Sequence, residues 1–162
     1  MIIEKATKQN LSNYLSTYFW QPMGMKNDAL WQIDSKDSGM EKAYCCITSN
    51  ARDFGRFGKL WSDNGAWNGT QIIPENLAKL AQQPRFEGSP YGYGLWLSNY
   101  RGKKISYMRG ILGQYVISIP EDNLVIVRLG HSRNNPNKNQ NIGNDFNVYV
   151  DAAYEMLEQF PE

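Results

Sequence analysis

The chain has 162 residues, of which 41% are hydrophobic, and its 17 basic and 16 acidic residues give a formal net charge of +1. This length suffices for one domain with a substantial core, 1–162, and the balanced charge gives no electrostatic footprint for nucleic acid or an anionic membrane. No apolar run approaches the roughly 20 residues that span a bilayer, and the first residues do not form an export signal, so we predict a soluble chain.

The first predicted element is a helix over residues 2–20. Apolar residues recur there at spacings of three and four, and Pro22 and Gly24 mark the far end of the helix. No Ser, Thr, Asp or Asn precedes Ile2 to cap the first N–H groups. Two interpretations stay open: the helix was cut into by truncation, or it begins frayed at a free terminus.

Cys45 and Cys46 are the only cysteines, and they are adjacent. Adjacent residues are poorly placed for a strain-free disulfide, so reduced and buried thiols are predicted. Two thiols and the single, distant His131 do not make a four-ligand metal set, and we expect no metal and no cofactor.

The middle of the chain contains helix and turn signals. Asn50, with Asp53 three residues later, predicts a helix start, and one face of that helix carries Phe54, Phe57 and Trp61. Asn68-Gly69 predicts a tight turn, and Pro74 fits the start of a short helix.

The second half of the chain is predicted to be mainly strands. Residues 93–97 and 103–108 flank a hairpin turn, and residues 106–133 contain three strands and two turns. The run 125–127 has no polar alternation, which predicts a strand covered on both faces inside a sheet. A mobile loop is expected over 131–144 and an amphipathic helix over 146–160, so the fold class is α+β, an antiparallel sheet with packed helices.

A search for nucleophilic chemistry finds little in this chain. No Ser or Thr stands three residues before a Lys, and no Gly-x-Ser-x-Gly is present. Residues 62–64 spell Ser-Asp-Asn, which occurs in one β-lactamase class but also terminates helices well. His131 has no carboxylate fixed by spacing, and the aromatic stretch 91–96 suits core packing better than a groove lining.

The order of several segments resembles the serine β-lactamase-like hydrolases, which include class C β-lactamases, serine DD-peptidases, esterases and 6-aminohexanoate-dimer hydrolase. The last of these is the most similar in its short Arg-Gly-Ile turn and its Gly-Gln-Tyr. The segments that carry the resemblance are 50–58, 64–69, 72–74, 91–96 and 113–129.

The resemblance implies acyl transfer to an amide or ester by a Ser in Ser-x-x-Lys, assisted by a Tyr motif, and both motifs would precede Met1. A third motif, usually Lys or His, then Thr or Ser, then Gly, matches Met108-Arg109-Gly110 here. The N–H of Ile111, after Gly110, is then expected to donate to an oxyanion. Substrate-binding roles are expected for Met108, Arg109 and Gln114, although Met and Arg at this edge put β-lactam binding in doubt.

Three functional hypotheses follow. The chain is the C-terminal portion of a serine hydrolase, inactive alone; or it is a binding or interaction module derived from the same fold; or a separate N-terminal half completes it. In each case the surface left uncovered predicts self-association or pairing with the missing half. A small-molecule amide or ester is the substrate expected for the parent enzyme.

Overall fold

The structure, a computed structural model, describes residues 2–131 and 144–160. It forms two compact units, Met1–Arg56 and Phe57–Glu162. Each unit is described by itself below. Whether the chain 1–162 acts as one domain stays a prediction.

The first unit begins with short helices instead of the single helix predicted over 2–20. Helix α1 spans Ile2–Thr7, α2 spans Leu11–Leu15, and a π-helical turn follows over Ser16–Trp20. The break between α1 and α2 comes from Lys8, whose φ is 60°, and from Asn10, whose side-chain oxygen accepts a hydrogen bond from Asn13 N at 2.8 Å. An internal N-cap therefore starts a new helix within the apolar repeat.

The same unit contains a two-stranded ribbon and the start of the next helix. Strand β1, Leu30–Trp31, pairs antiparallel with β2, Ile47–Thr48, and α3 spans Ala51–Ser62. The predicted helix start is confirmed, because Asn50 Oδ1 accepts a hydrogen bond from Asp53 N at 2.9 Å.

Asp53 is the central buried acceptor of this unit. Its carboxylate is fully buried and accepts hydrogen bonds from Lys26 N at 2.9 Å and Asn27 N at 3.0 Å. The Asn50 side chain and the Arg56 guanidinium also donate to it. Burial alone would raise the pKa of Asp53, but these donors outweigh it and hold that pKa below its ordinary value.

The prediction of reduced, buried thiols is wrong. Cys45 and Cys46 form a disulfide across one peptide bond, and Cys46 is exposed. Cys46 adopts a φ of 81°, so a turn conformation brings the two sulfur atoms together, which extended backbone would not do. The turn is fixed further by Trp31 Nε1, which donates to the carbonyl oxygens of Lys42 and Cys45, each at 3.0 Å.

The second unit contains the main sheet. A small ribbon, β3 at Ala66–Trp67 and β4 at Thr70–Gln71, confirms the tight turn at Asn68-Gly69, and α4 follows over Glu75–Ala81. The sheet strands are β5 at Trp96–Tyr100, β6 at Lys103–Arg109, β7 at Tyr115–Ile119 and β8 at Leu124–Arg128, with a 3-10 turn at Pro120–Asp122. Helix α5 spans Asn144–Gln159 and confirms the predicted closing helix.

Each face of the sheet is covered by a different helical element. The strands are antiparallel in the order β5-β6-β7-β8, and α5 packs on one face through the fully buried Phe146 and Val150. On the other face, Ser118 Oγ donates to Gly58 O at 2.8 Å and Ser106 Oγ donates to Gln82 at 3.0 Å. The α+β class predicted from the sequence is confirmed.

Two details of the sheet differ from the prediction. Strand β8 lies at an edge of the four-stranded sheet and is only half-buried, so its apolar run does not mark an interior strand in the part of the chain that the structure describes. The first hairpin turn is also shorter than predicted. Strand β5 continues through Tyr100, and the turn is Arg101-Gly102, both with positive φ, which suits a right-twisted hairpin.

Candidate functional site

The turn between β6 and β7 is the candidate site. Arg109 pairs with Tyr115 as the last residues of the ladder, which leaves residues 110–114 as a five-residue loop. All of the site residues predicted from the resemblance, from Met108 to Gln114, therefore lie in or next to one loop. The functional roles given to them stay predictions.

The amide groups of residues 110–113 differ in whether they are paired. Gly110 N donates to Gln114 O at 2.8 Å, Leu112 N donates to Gln114 Oε1 at 3.2 Å, and Gly113 N donates to Gly110 O at 3.2 Å. Ile111 N has no hydrogen bond within residues 2–131 and 144–160, and its side chain is 84% exposed. Gln114 N also has no hydrogen bond within those ranges, but Gln114 is only half-buried whereas Ile111 is largely exposed, so Ile111 N is the more accessible of the two unpaired amides of the loop.

Gly110 and Gln114 fit each other closely inside this loop. A Cβ at Gly110 would lie 2.3 Å from Gln114 Oε1 and 3.0 Å from Gln114 Cβ. The other end of the Gln114 amide donates to Gly130 O at 2.5 Å. The Gln114 side chain, which was predicted to bind substrate, therefore uses its amide oxygen within the loop and its amide nitrogen on the residue two positions after β8.

Arg128 is a residue at this site that the sequence reasoning missed. It lies directly opposite Tyr115 in the β7–β8 register, and its Nη1 donates to the carbonyl oxygens of Leu112 at 3.2 Å and Gly113 at 2.5 Å. The available signal was a single charged residue ending an otherwise apolar strand. An arginine at the end of an otherwise apolar strand needs carbonyl or carboxylate partners nearby, because burying an unpaired charge is costly.

Arg109 and Met108 point to opposite faces of the sheet, because successive side chains on a strand alternate. Arg109 lies on the face that α5 covers, with its guanidinium carbon 4.1 Å from the Trp96 ring centroid. Its Nη1 is buried and has no hydrogen-bond partner among the described residues. Met108 is half-buried and pairs with Val116 on the other face.

Polar atoms of Tyr107, Tyr115 and Asp145 lie within the aromatic core, on the same face of the sheet as Arg109. Tyr115 Oη donates to Asp145 Oδ1 at 3.2 Å, whereas Asp145 Oδ2 and Tyr107 Oη are buried without partners in the described part of the chain. Burial raises the pKa of Tyr107 to about 12, against the opposing effect of the Arg109 charge. Tyr107 therefore stays protonated at neutral pH.

The other sequence candidates take structural places. Asp63 pairs with Lys59 at the end of α3, and Asn64 and Gly65 follow with φ values of 50° and 86°, which is the helix-terminating use of the Ser-Asp-Asn motif. His131 is exposed after β8. In the stretch 91–96, Leu95 is buried and Trp96 packs on the core, whereas Tyr91 and Tyr93 are exposed. The predicted loop over 131–144 falls almost wholly on residues 132–143, which lie outside the described residues.

Two cavities lie elsewhere. One of about 370 Å³ is lined within residues 12–47, and the other, of about 690 Å³, is lined within residues 64–121 by α4, β5 and β6; residues 108–114 line neither. In the described residues, no three His, Cys, Asp or Glu side chains gather as a metal-binding group. No helix in those ranges has the length and apolar content to traverse a lipid bilayer.

The chain belongs to the beta-lactamase family, whose model matches residues 1–149. Among solved structures it is similar to one named "Putative 6-aminohexanoate-dimer hydrolase" from Bacillus anthracis, with a TM-score of 0.81 and 26% identity over 99% of this chain. It also shares the fold of a protein from Bacteroides dorei DSM 17855 named "putative beta-lactamase", with a TM-score of 0.72 and 16% identity over 96% of this chain. The matches cover 42% and 54% of those two chains, so this chain spans about half their length. No curated protein matches it.

Proposed function

We propose that this chain is the C-terminal portion of a serine hydrolase that cleaves amide or ester bonds through an acyl-enzyme. Its role in that enzyme is to supply the Ile111 N–H as one donor of the oxyanion hole. The observation that carries the proposal is the pairing pattern of the loop, in which the amides of Gly110, Leu112 and Gly113 are paired and that of the largely exposed Ile111 lacks a partner within the described ranges, as does that of the half-buried Gln114. Membership of a hydrolase family supports the reaction class.

The chemistry assigns a limited role to this loop. A serine oxygen attacks the substrate carbonyl carbon, the carbonyl oxygen gains a negative charge, and the bond to the leaving amine or alcohol then breaks. The Ile111 N–H would donate to that oxygen as its charge develops, and water would later release the acyl group. Removal of one such donor costs about 3 to 4 kcal/mol in the transition state.

The donor has no nucleophile within this chain to serve. Neither a Ser nor a Thr stands three residues before a Lys, so the Ser-x-x-Lys nucleophile and its Tyr partner are proposed to lie outside residues 1–162. The chain alone is therefore proposed to be inactive. Binding of an amide or ester by Met108, Arg109 and Gln114 belongs to the same proposal.

The test compares the isolated chain with the protein made from its own chromosomal locus, carrying an affinity tag at its C-terminus. Both are treated with a fluorophosphonate probe and with p-nitrophenyl butyrate. We expect the locus product to be labelled at a serine outside residues 1–162 and the isolated chain to be unlabelled. A label on a residue within 1–162, or an unlabelled and inactive locus product, would contradict the proposal.

The donor itself is tested by Ile111→Pro in the locus product, because proline has no N–H to donate. A loss of about 100- to 1,000-fold in kcat is expected. Ile111→Ala is the matched control, since it removes the exposed side chain and keeps the N–H. Equal activity of the two variants would rule out the amide as a donor.

A pairing surface is proposed alongside this function. Strand β8 is an edge strand with apolar residues on both faces, and α5 leaves Val148, Met156, Leu157 and the following Phe160 largely exposed. Open edges and apolar faces of this kind promote association. The isolated chain is expected to run above its 18.6 kDa monomer mass in light scattering, and a strictly monomeric chain would contradict this.

A further inference from the structure

The loop that carries Ile111 is held from the neighbouring strand by two side-chain contacts. Arg128 Nη1 donates to two consecutive carbonyl oxygens of the loop, those of Leu112 and Gly113. The Gln114 side chain accepts from Leu112 N and donates to Gly130 O. Both contacts connect the loop to β8 or to the residues just after it, although β8 does not pair with β6.

The surroundings of Arg128 keep its guanidinium in place. A Cβ at Gly130 would lie between 2.5 and 2.7 Å from three guanidinium atoms of Arg128, so the glycine leaves the space that the side chain occupies. The guanidinium carbon also lies 5.4 Å from the Tyr149 ring centroid, within range of a cation–π contact. A fixed donor beside a glycine is suited to setting the orientation of peptide groups.

The remaining freedom of the loop concerns the donor peptide. The Arg109–Tyr115 pair fixes the loop ends, and Arg128 and Gln114 fix the peptides around Leu112 and Gly113. An oxyanion donor must lie about 2.7 to 3.1 Å from the charged oxygen, so a small rotation of its peptide changes the stabilisation strongly. Restraint of the neighbouring peptides limits such a rotation.

We propose that Arg128 is a positioning residue for the Ile111 amide, with Gln114 as its second support. The inference rests on the oxyanion role proposed above and extends it to a residue that does not reach the reacting atoms through its own side chain. One nitrogen satisfies two carbonyl groups, which a planar, permanently charged guanidinium does with less loss of freedom than an ammonium.

Arg128→Ala is the test variant, and Arg101→Ala is the matched control. Arg101 lies at the other end of the sheet, where its guanidinium pairs with Asp151 at 3.0 Å and sits 4.7 Å from the Tyr154 ring centroid. Each variant therefore removes an arginine that contacts a tyrosine ring of α5 and donates hydrogen bonds to oxygen atoms. For Arg101 the acceptor is the Asp151 carboxylate, and for Arg128 the acceptors are two loop carbonyl groups. Only one of them contacts the loop of residues 110–114.

The first measurement is the amide spectrum of ¹⁵N-labelled chain 1–162, which needs no enzymatic activity. Arg128→Ala is expected to shift the amide signals of residues 110–113, and Arg101→Ala to leave them in place. Methylguanidinium added at millimolar concentration should move the shifted signals back toward the wild-type positions. Unchanged loop signals in Arg128→Ala would overturn the inference and leave the proposed function untouched.

The second measurement is kcat and KM of the locus product. Arg128→Ala is expected to lower kcat about 10- to 100-fold with KM within about twofold, because a misplaced donor acts on the transition state. The kcat of Arg128→Lys should lie between that of the wild type and that of Arg128→Ala. If Ile111→Pro abolishes turnover while Arg128→Ala does not change it, the positioning role is wrong; if Ile111→Pro is fully active, the oxyanion role fails first.

Discussion

Substitution of Gly110 by alanine tests the packing of the β6–β7 loop directly. Gly110 does not have a positive φ, so its backbone accepts alanine without strain. The new Cβ would meet Gln114 Oε1 at 2.3 Å, however, and would force that side chain out. Two hydrogen bonds are then lost, those to Leu112 N and Gly130 O.

The expected cost follows from those two bonds. Each neutral hydrogen bond contributes about 0.5 to 1.5 kcal/mol, so Gly110→Ala should lower the free energy of unfolding by about 1 to 3 kcal/mol. Gln114→Ala loses the same bonds and should cost a similar amount. The double variant should cost little more than Gln114→Ala alone, because most of the clash disappears with the Gln114 side chain. The coupling energy is therefore expected to be about 1 to 3 kcal/mol.

Urea unfolding of the four proteins, followed by circular dichroism, measures this cycle. Gly102→Ala combined with Gln114→Ala is the control. Gly102 has a φ of 73° and open space around its Cβ position, so its cost comes from backbone strain and should add to that of Gln114→Ala within about 0.5 kcal/mol. If the Gly110 cycle were equally additive, the fit between Gly110 and Gln114 would not be the reason for the glycine.

Three further predictions concern other parts of the chain. Because the folded-state pKa of Asp53 lies below its ordinary value, the ionised carboxylate should stabilise the folded chain fully above about pH 4, and this stabilisation should be lost as the pH falls through the folded-state pKa. Asp53→Asn should lower the free energy of unfolding by about 2 to 3 kcal/mol at pH 7 and remove this pH dependence. Identical pH profiles of the two proteins in urea titrations would contradict the assignment. Tyr107→Phe should raise the urea midpoint by the equivalent of about 1 kcal/mol, because it removes a buried hydroxyl that has no hydrogen-bond partner among the described residues. Because the folded-state pKa of Tyr107 is raised to about 12, the wild type should also lose stability relative to this variant as the pH rises from about 10 to about 12, and a destabilised variant would contradict the absence of a partner. Iodoacetamide should add no mass to the unreduced chain and two carbamidomethyl groups after dithiothreitol, whereas labelling without reductant would contradict the Cys45–Cys46 disulfide.

Features of the fold that depend on a few neighbouring residues were predictable from the sequence. The cap at Asn50, the tight turn at Asn68-Gly69 and the apolar repeat of α5 each carry their cause within one or two turns of chain. The break at Lys8 was missed because the apolar periodicity continues across it, and only the capping hydrogen bond of Asn10 decides the new start.

Features that depend on distant partners could not be predicted in this way. The pattern of Val125 to Val127 suits any strand with apolar neighbours on both faces, and it does not specify whether another strand lies alongside. The contact of Arg128 with Leu112 and Gly113 joins the end of one strand to loop residues 16 and 15 positions earlier in the chain. The support that Arg128 gives to the candidate loop became visible only with the pairing register.

The core of the sheet unit draws on the last helix, and this has a consequence for biosynthesis. Phe146 and Val150 of α5 fill the layer against Tyr107, Tyr115 and Ile117, yet all four strands precede that helix in the chain and are synthesised before it. Without that helix, the aromatic face of the sheet lacks the cover that Phe146 and Val150 provide. A chain truncated before residue 144 should therefore be aggregation-prone and protease-sensitive, even though it contains all four strands of the sheet.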